Sequence, residues 1–233
     1  MKATGWGGVF AIITGALETL RAHNSVGVED YIYSDQGCTE EFPNPVNYVL
    51  QQECDEEESP LEPVRGRFIH PTETEFKEYK TLMSKMRFTP ELLELVAHHE
   101  NQIKIDENTI GVHLRLTDMN KQHPELGIVT YEHYAQALED IITPDSNLFL
   151  ASDNKESIDK FIEVYGDRVS YIPDLMRSET EDDHGHTAWQ LDNMSDKNLW
   201  LESFLEMLFL SKCHTLVQRV STLAEAAYTL GSV

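Results

Sequence analysis

The chain has 233 residues, 40% of them apolar, and carries 41 acidic against 18 basic side chains for a formal net charge of −23. That length suits one large domain or two small ones with a proper core. A surface so acidic makes phosphate backbones and anionic lipid heads poor partners, so an anion bound here must be gripped locally by arginines and backbone N–H groups. Cys38, Cys54 and Cys213 are the only cysteines, scattered and without CxxC spacing. They speak against a disulfide framework and a structural zinc site, and for a reducing compartment. No run of about 18 apolar residues is present to span a membrane. The N-terminus lacks the basic-then-apolar layout of a signal peptide, so the expected location is cytoplasmic.

In chain order, Gly5-Trp6-Gly7-Gly8 opens the sequence and leads into an apolar stripe from Val9 to Leu20. A glycine loop feeding a helix N-terminus can bind an anion, and it can equally be a plain tight turn. Asp30 to Tyr33 reads as a strand, Pro43 and Pro45 as a turn, and the acidic stretch from Glu53 to Glu62 as a solvated loop or lid. Thr89-Pro90 in cap and first-turn positions starts a helix over Glu91 to His98.

The second half is more regular. Ile110 to Leu116 alternates, with Ile110, Val112, Leu114 and Leu116 on one face and Gly111, His113 and Arg115 on the other. The pattern then predicts a helix over Tyr131 to Ile142, a strand over Asn147 to Ala151 and a helix over Lys155 to Tyr165. It continues with a strand over Val169 to Ile172, a buried helix over Lys197 to Ser211, a strand over His214 to Val217 and a closing helix over Leu223 to Leu230. Alternation of this kind means βαβ units, an α/β fold and a parallel sheet.

Ligands of such sheets sit beyond the carboxyl ends of the strands. The residues to weigh there are His113, Arg115 and Asp118; Ser152 and Asp153; Pro173 and Asp174; and Gln218, Arg219, Ser221 and Thr222. Asp182-Asp183-His184-Gly185-His186 has spacing compatible with a divalent ion but reads better as a solvated acidic turn, so no metal is expected. His98-His99 is less informative still.

His113-Leu114-Arg115-Leu116-Thr117-Asp118 resembles the His-x-Arg-Arg-Thr-Asp motif of the α-1,6-fucosyltransferases, nodulation fucosyltransferases and protein O-fucosyltransferases. Leu150-Ala151-Ser152-Asp153-Asn154 is similar to a strand end of that superfamily. Leu210 to Val217 resembles its helix-to-strand segment, and Val220-Ser221-Thr222 stands where it has a serine pair. Gly7-Gly8-Val9-Phe10 resembles its opening glycine loop more faintly, as Pro45 to Leu50 does a segment after its second strand. The resemblance runs from about residue 107 to 230, is weak from 5 to 52 and is absent from 53 to 106.

The resemblance implies a GT-B-like architecture of two Rossmann-type domains facing a cleft, here a reduced N-terminal one over 1–106 and a GDP-sugar-binding one over 107–233. It implies inverting, metal-independent transfer of fucose or a similar sugar from a GDP-sugar to a hydroxyl of a glycan or peptide. On this resemblance Arg115 holds the β-phosphate, where a guanidinium stabilises the charge of departing GDP. His113 and Asp153 contact the nucleoside, Ser221 and Thr222 cradle the diphosphate, and Gly7 and Gly8 form the opening nucleotide loop. Glu125, with His123 as the other candidate, is the base that takes the acceptor proton. Plainer roles stand beside these: an ion pair for Arg115, a hydrogen-bonded edge histidine for His113, and helix caps for Asp153, Ser221 and Thr222. Trp6, Trp189 and Trp200 can offer a sugar-stacking face, though Trp200 reads better as a core residue. Leu116 replaces the motif's second arginine, and Met119 stands where it has a lysine. A non-catalytic binding descendant, or a generic α/β interaction module, are the alternatives to the enzyme.

Overall fold

The computed structural model describes residues 46, 49–51, 72–116, 127–178, 197–219 and 221–231. Gly7, Gly8, Glu125, His123, Asp118, Met119, Trp6, Trp189, Cys38, Cys54, the strand at Asp30 to Tyr33, the Glu53 to Glu62 stretch and the Asp182 to His186 cluster lie outside the described residues.

In chain order these residues form α1 (Glu73–Met83), α2 (Pro90–Glu100), β1 (Thr109–Leu114), α3 (Tyr131–Glu139), β2 (Asn147–Ser152), α4 (Lys155–Tyr165), β3 (Val169–Tyr171), α5 (Lys197–Leu210), β4 (Thr215–Gln218) and α6 (Thr222–Gly231). The four strands make one parallel sheet in the order β3-β2-β1-β4. The chain therefore steps outward from β1 to β2 to β3 and then crosses back to lay β4 on the other side of β1. The order reverses between β1 and β4, and in open α/β sheets that reversal opens a crevice at the carboxyl ends of the two strands.

Layering follows from the alternation in β1. Ile110, Val112 and Leu114, with Leu148 and Leu150 of β2, pack against Tyr134 and Leu138 of α3 and Ile158 and Phe161 of α4. The opposite face carries Phe149 and Ala151 under Trp200, Phe204, Leu205 and Phe209 of α5, which is apolar nearly all round because it lies between the sheet and other helices. That second cluster also takes in Tyr79, Leu82 and Met83 of α1, Leu92 and Val96 of α2, and Leu223, Ala226 and Ala227 of α6. Trp200 is fully buried there. Among the described residues no helix is long and apolar enough to cross a membrane.

The elements differ from the sequence expectation in small, physical ways. β1 ends at Leu114 rather than Leu116, and α3 ends at Glu139 rather than Ile142, where the amides of Ile141 and Ile142 fold back onto the Leu138 carbonyl. Pro144 follows and keeps Thr143 out of the helical region. Helix α1 is new: Thr72 and Glu75 form a reciprocal capping box, the Thr72 amide donating to Glu75 Oε2 at 2.8 Å.

Gly111 marks a close approach of two layers. A Cβ there would stand 2.6 Å from Leu216 Cδ2, 3.0 Å from Leu210 Cδ2 and 3.1 Å from Cys213 Cβ. A side chain at this point forces the α5–β4 connection off the sheet, so Gly111→Val is expected to cost about 1–3 kcal/mol, read as a lower urea midpoint at unchanged slope. A variant as stable as wild type would show that this contact yields freely.

Candidate functional site

The carboxyl ends of β1, β2 and β4 gather the polar residues that the apolar strands lack. His113 of β1 pairs in register with Ala151 of β2 on one side and Gln218 of β4 on the other. Alternation puts His113, Gln218 and Asp153 (two residues past Ala151) on the face that α5 covers. His113 is only 5% exposed, and its Nδ1 is buried with no hydrogen-bond partner. Gln218 Oε1 is likewise buried without one. Burial first, and then the nearby Arg115 charge, push the His113 pKa down to about 3, so its imidazole is neutral at physiological pH.

Arg115 follows β1 directly and is half-buried. Leu116, just past the strand, is 2% exposed in the cluster with Ile110, Val112 and Leu114. The alternation thus outlasts the strand's hydrogen bonds, keeping Arg115 on the His113 side and committing Leu116 to the core.

On the other face, Arg219 follows β4, is 8% exposed and donates from Nη2 to the Gly127 carbonyl at 3.0 Å. The buried Tyr134 hydroxyl of α3 lies against the backbone amides of Arg115 and Arg219, and burial raises its pKa despite them. One tyrosine on α3 therefore sits where the two arginine-bearing strand ends emerge.

Ser221 is buried and its carbonyl accepts from the Glu225 amide, with Thr222 opening α6, so both stand at a helix N-terminus as the sequence suggests. Asp153 is not a helix cap. Asn154 caps α4, its Oδ1 accepting from the Ser157 amide at 2.7 Å and the Ser157 hydroxyl at 2.8 Å. The capping role expected one position earlier is thereby corrected, and the half-buried Asp153 carboxylate is spared that duty.

Behind this edge lies a network invisible in the sequence. Arg177 Nε donates to the Ser152 carbonyl at 3.1 Å, Nη1 to the Leu175 carbonyl at 3.3 Å, and Nη2 to the Ile172 carbonyl at 2.9 Å and to Glu206 Oε1 at 3.1 Å. Both partners of that ion pair are largely buried, and Glu202, one turn earlier on α5, accepts the Met176 amide at 2.9 Å. Ser178 completes the join, its amide donating to the Asp153 carbonyl at 2.9 Å. The segment after β3 is thus fastened to the end of β2 that carries Asp153. Burial raises the Glu206 carboxyl to about 7, Arg177 opposing the shift and Asp153 adding to it.

Elsewhere, the His99 pKa is lowered, chiefly by burial and then by His98. Burial raises the Cys213 thiol to about 12, which makes it inert as a nucleophile. A shallow hollow of about 270 Å³ lined by Glu100, Ile103, Lys104, Ile105, Phe209 and Lys212 lies beside the segments entering β1 and β4, away from the carboxyl edge.

Of the expected site residues, the fold brings together His113, Arg115 and Asp153, with Ser221 and Thr222 at the N-terminus of the helix that follows β4. Gln218, Arg219 and Tyr134 join them. Gln218 and Arg219 were legible as strand-end residues, while Tyr134 carried no signal beyond its place on an amphipathic helix.

No family model matches the chain, and no curated protein matches it. Among solved structures it is similar to NodZ alpha-1,6-fucosyltransferase soaked with GDP-fucose, at 14% identity and a TM-score of 0.45 over 66% of this chain and 47% of that one. It is similar to fucosyltransferase NodZ from Bradyrhizobium, at 14% identity and a TM-score of 0.44 over 65% of this chain and 45% of that one. It is also similar to POFUT1 in complex with GDP, at 15% identity and a TM-score of 0.36 over 69% of this chain and 47% of that one. The chain spans about half the length of these structures.

Proposed function

We propose that the chain binds a GDP-sugar at the carboxyl edge of the sheet and transfers its sugar, fucose or a close relative, to a hydroxyl of a glycan or peptide with inversion. The observation that carries this is the pair of partnerless buried polar atoms, on His113 and Gln218, flanking the point where strand order reverses. A generic interaction module has no reason to keep such atoms unsatisfied there. Arg115 beside them supplies the local positive charge that a chain of net charge −23 needs to hold a diphosphate.

In this reading Arg115 stabilises the charge that grows on the β-phosphate as GDP departs. Ser221 and Thr222 at the α6 N-terminus take further phosphate oxygens, and Asp153 accepts from the nucleobase. Glu125 takes the acceptor proton, Gly7 and Gly8 line the nucleotide loop, and no metal is required because the arginine and the helix N-terminus serve the leaving group. The division near residue 106 belongs to the same reading, with α1 and α2 fastened to the donor-side layer.

Calorimetric titration of GDP, with UDP and ADP as controls, tests the proposal. GDP-selective binding is expected, weakened roughly 10- to 100-fold in Arg115→Ala, as for loss of a hydrogen bond to a charged group. Well-folded wild-type protein that binds no nucleotide would leave the interaction module as the better reading.

One observation favours a second reading. The position of the motif's second arginine is Leu116, and it is spent on the core. A descendant that binds a nucleotide sugar without turning it over predicts the same GDP titration but no release of GDP from GDP-fucose in the presence of acceptor hydroxyls.

A further inference from the structure

We propose that Gln218 and His113 act together as a neutral hydrogen-bonding pair that takes the vicinal hydroxyls of the ribose of a bound nucleoside diphosphate. The assignment rests on the donor site proposed above and gives it a residue, Gln218, that the sequence motifs do not mark.

Three features converge. The two residues are register partners on adjacent parallel strands, on the same face, at the switch point of the sheet. Neighbouring strands lie about 4.8 Å apart, so two side chains leaning towards one ligand can reach atoms on adjacent carbons. Each residue holds a buried hydrogen-bonding atom without a partner, Nδ1 of His113 and Oε1 of Gln218. An unmet buried acceptor is costly, and a ligand that supplies a donor recovers that cost on binding.

The chemistry of the pair selects among parts of a nucleotide. A side-chain amide oxygen carries no charge, and the imidazole beside it is held neutral by burial and by Arg115. The two unmet atoms select the ligand: Gln218 Oε1 can only accept, and His113 Nδ1 accepts in the tautomer protonated at Nε2, so together they suit two neighbouring O–H donors rather than phosphate oxygens. Arg219, the next residue after Gln218, points to the other face and spends an Nη2 hydrogen on the Gly127 carbonyl, so it does not compete for the same hydroxyls. The division of labour is then spatial, with charge at Arg115 and the α6 N-terminus and neutral acceptors over the β1–β4 seam.

Calorimetry with GDP and with 2′,3′-dideoxy-GDP, on wild type, Gln218→Met and Gln218→Glu, tests the pair, with urea midpoints confirming that each protein is folded. Wild type is expected to prefer GDP over the dideoxy analogue by roughly tenfold or more. Gln218→Met should bind GDP about as weakly as wild type binds the analogue, with the preference largely gone. Gln218→Glu keeps an acceptor oxygen in the same place and should keep most of the preference. Wild type that binds both nucleotides equally, or a folded Gln218→Met with undiminished preference, overturns the pair while leaving the donor site standing. Wild type that binds neither nucleotide overturns both.

Discussion

Glu206→Ala is expected to destabilise the protein by about 2–4 kcal/mol at pH 8, because it strands the Arg177 guanidinium in a largely buried site with its counter-charge gone. Arg177 cannot withdraw to solvent cheaply, since its remaining donors hold the Ser152, Leu175 and Ile172 carbonyls. Releasing it frees the segment that Ser178 pins to Asp153, so nucleotide affinity should fall along with stability. Glu206→Gln keeps an acceptor oxygen at the Arg177 fork and should lose clearly less. Replacing both partners together, Arg177→Met with Glu206→Leu, should recover much of the loss, because well-packed apolar side chains often match a buried pair. Urea unfolding with a two-state fit measures all four proteins. A Glu206→Ala midpoint within error of wild type would show that the pair is incidental to the fold.

The parallel sheet and its helices were legible because each element announces itself locally. The Thr89-Pro90 start, the period-two alternation of β1 and the apolar stripe of α4 are short-range signals, and the fold obeys them. α1 went unread because its core face is only Tyr79, Leu82 and Met83, late in an otherwise polar helix, although its Thr72-x-x-Glu75 box was there to be seen. His113, Arg115 and Asp153 were visible as polar residues at strand ends. Their partnership with Gln218 was not, because it depends on β4 lying beside β1, a consequence of topology rather than of any local pattern. The Arg177–Glu206 pair joins residues 29 apart. It hides on a helix that reads as apolar all round, and only the i, i+4 spacing of Glu202 and Glu206 hints at a polar stripe. The cap on α4 shows the resolution limit of such reading, since Asp153 and Asn154 are both good caps and one residue of register decides between them.

The acid stability of the protein should be set by two buried groups that titrate in opposite senses. The folded state keeps His113 neutral down to about pH 3, whereas the unfolded chain protonates it near 6.5. As pH falls through that interval only the unfolded state takes the proton, so stability is lost, on the order of 5 kcal/mol at the limit. Glu206 works the other way. The folded state protonates it at about 7 and the unfolded chain near 4.5, so its contribution is fully present below 4.5 and is lost as pH rises through 7. Between pH 6.5 and 4.5 the two largely offset, and wild type should show a shallow stability profile there, breaking only below about 4.5. Asp106 and Glu132, whose carboxyls are held low chiefly by the Thr109 and Thr130 hydroxyls, add to the loss at still lower pH in every variant. Differences between variants therefore isolate the buried pair. Glu206→Gln removes the compensation and should begin to lose stability near pH 6.5. His113→Leu removes the penalty, leaves no unmet nitrogen behind, and should grow more stable as pH drops from 7 to 4.5. Urea titrations at pH 7, 5.5 and 4.5 separate these profiles. If His113→Leu shows the same acid limb as wild type, then His113 takes a proton in the folded state, and its role as a neutral acceptor over the β1–β4 seam falls with it.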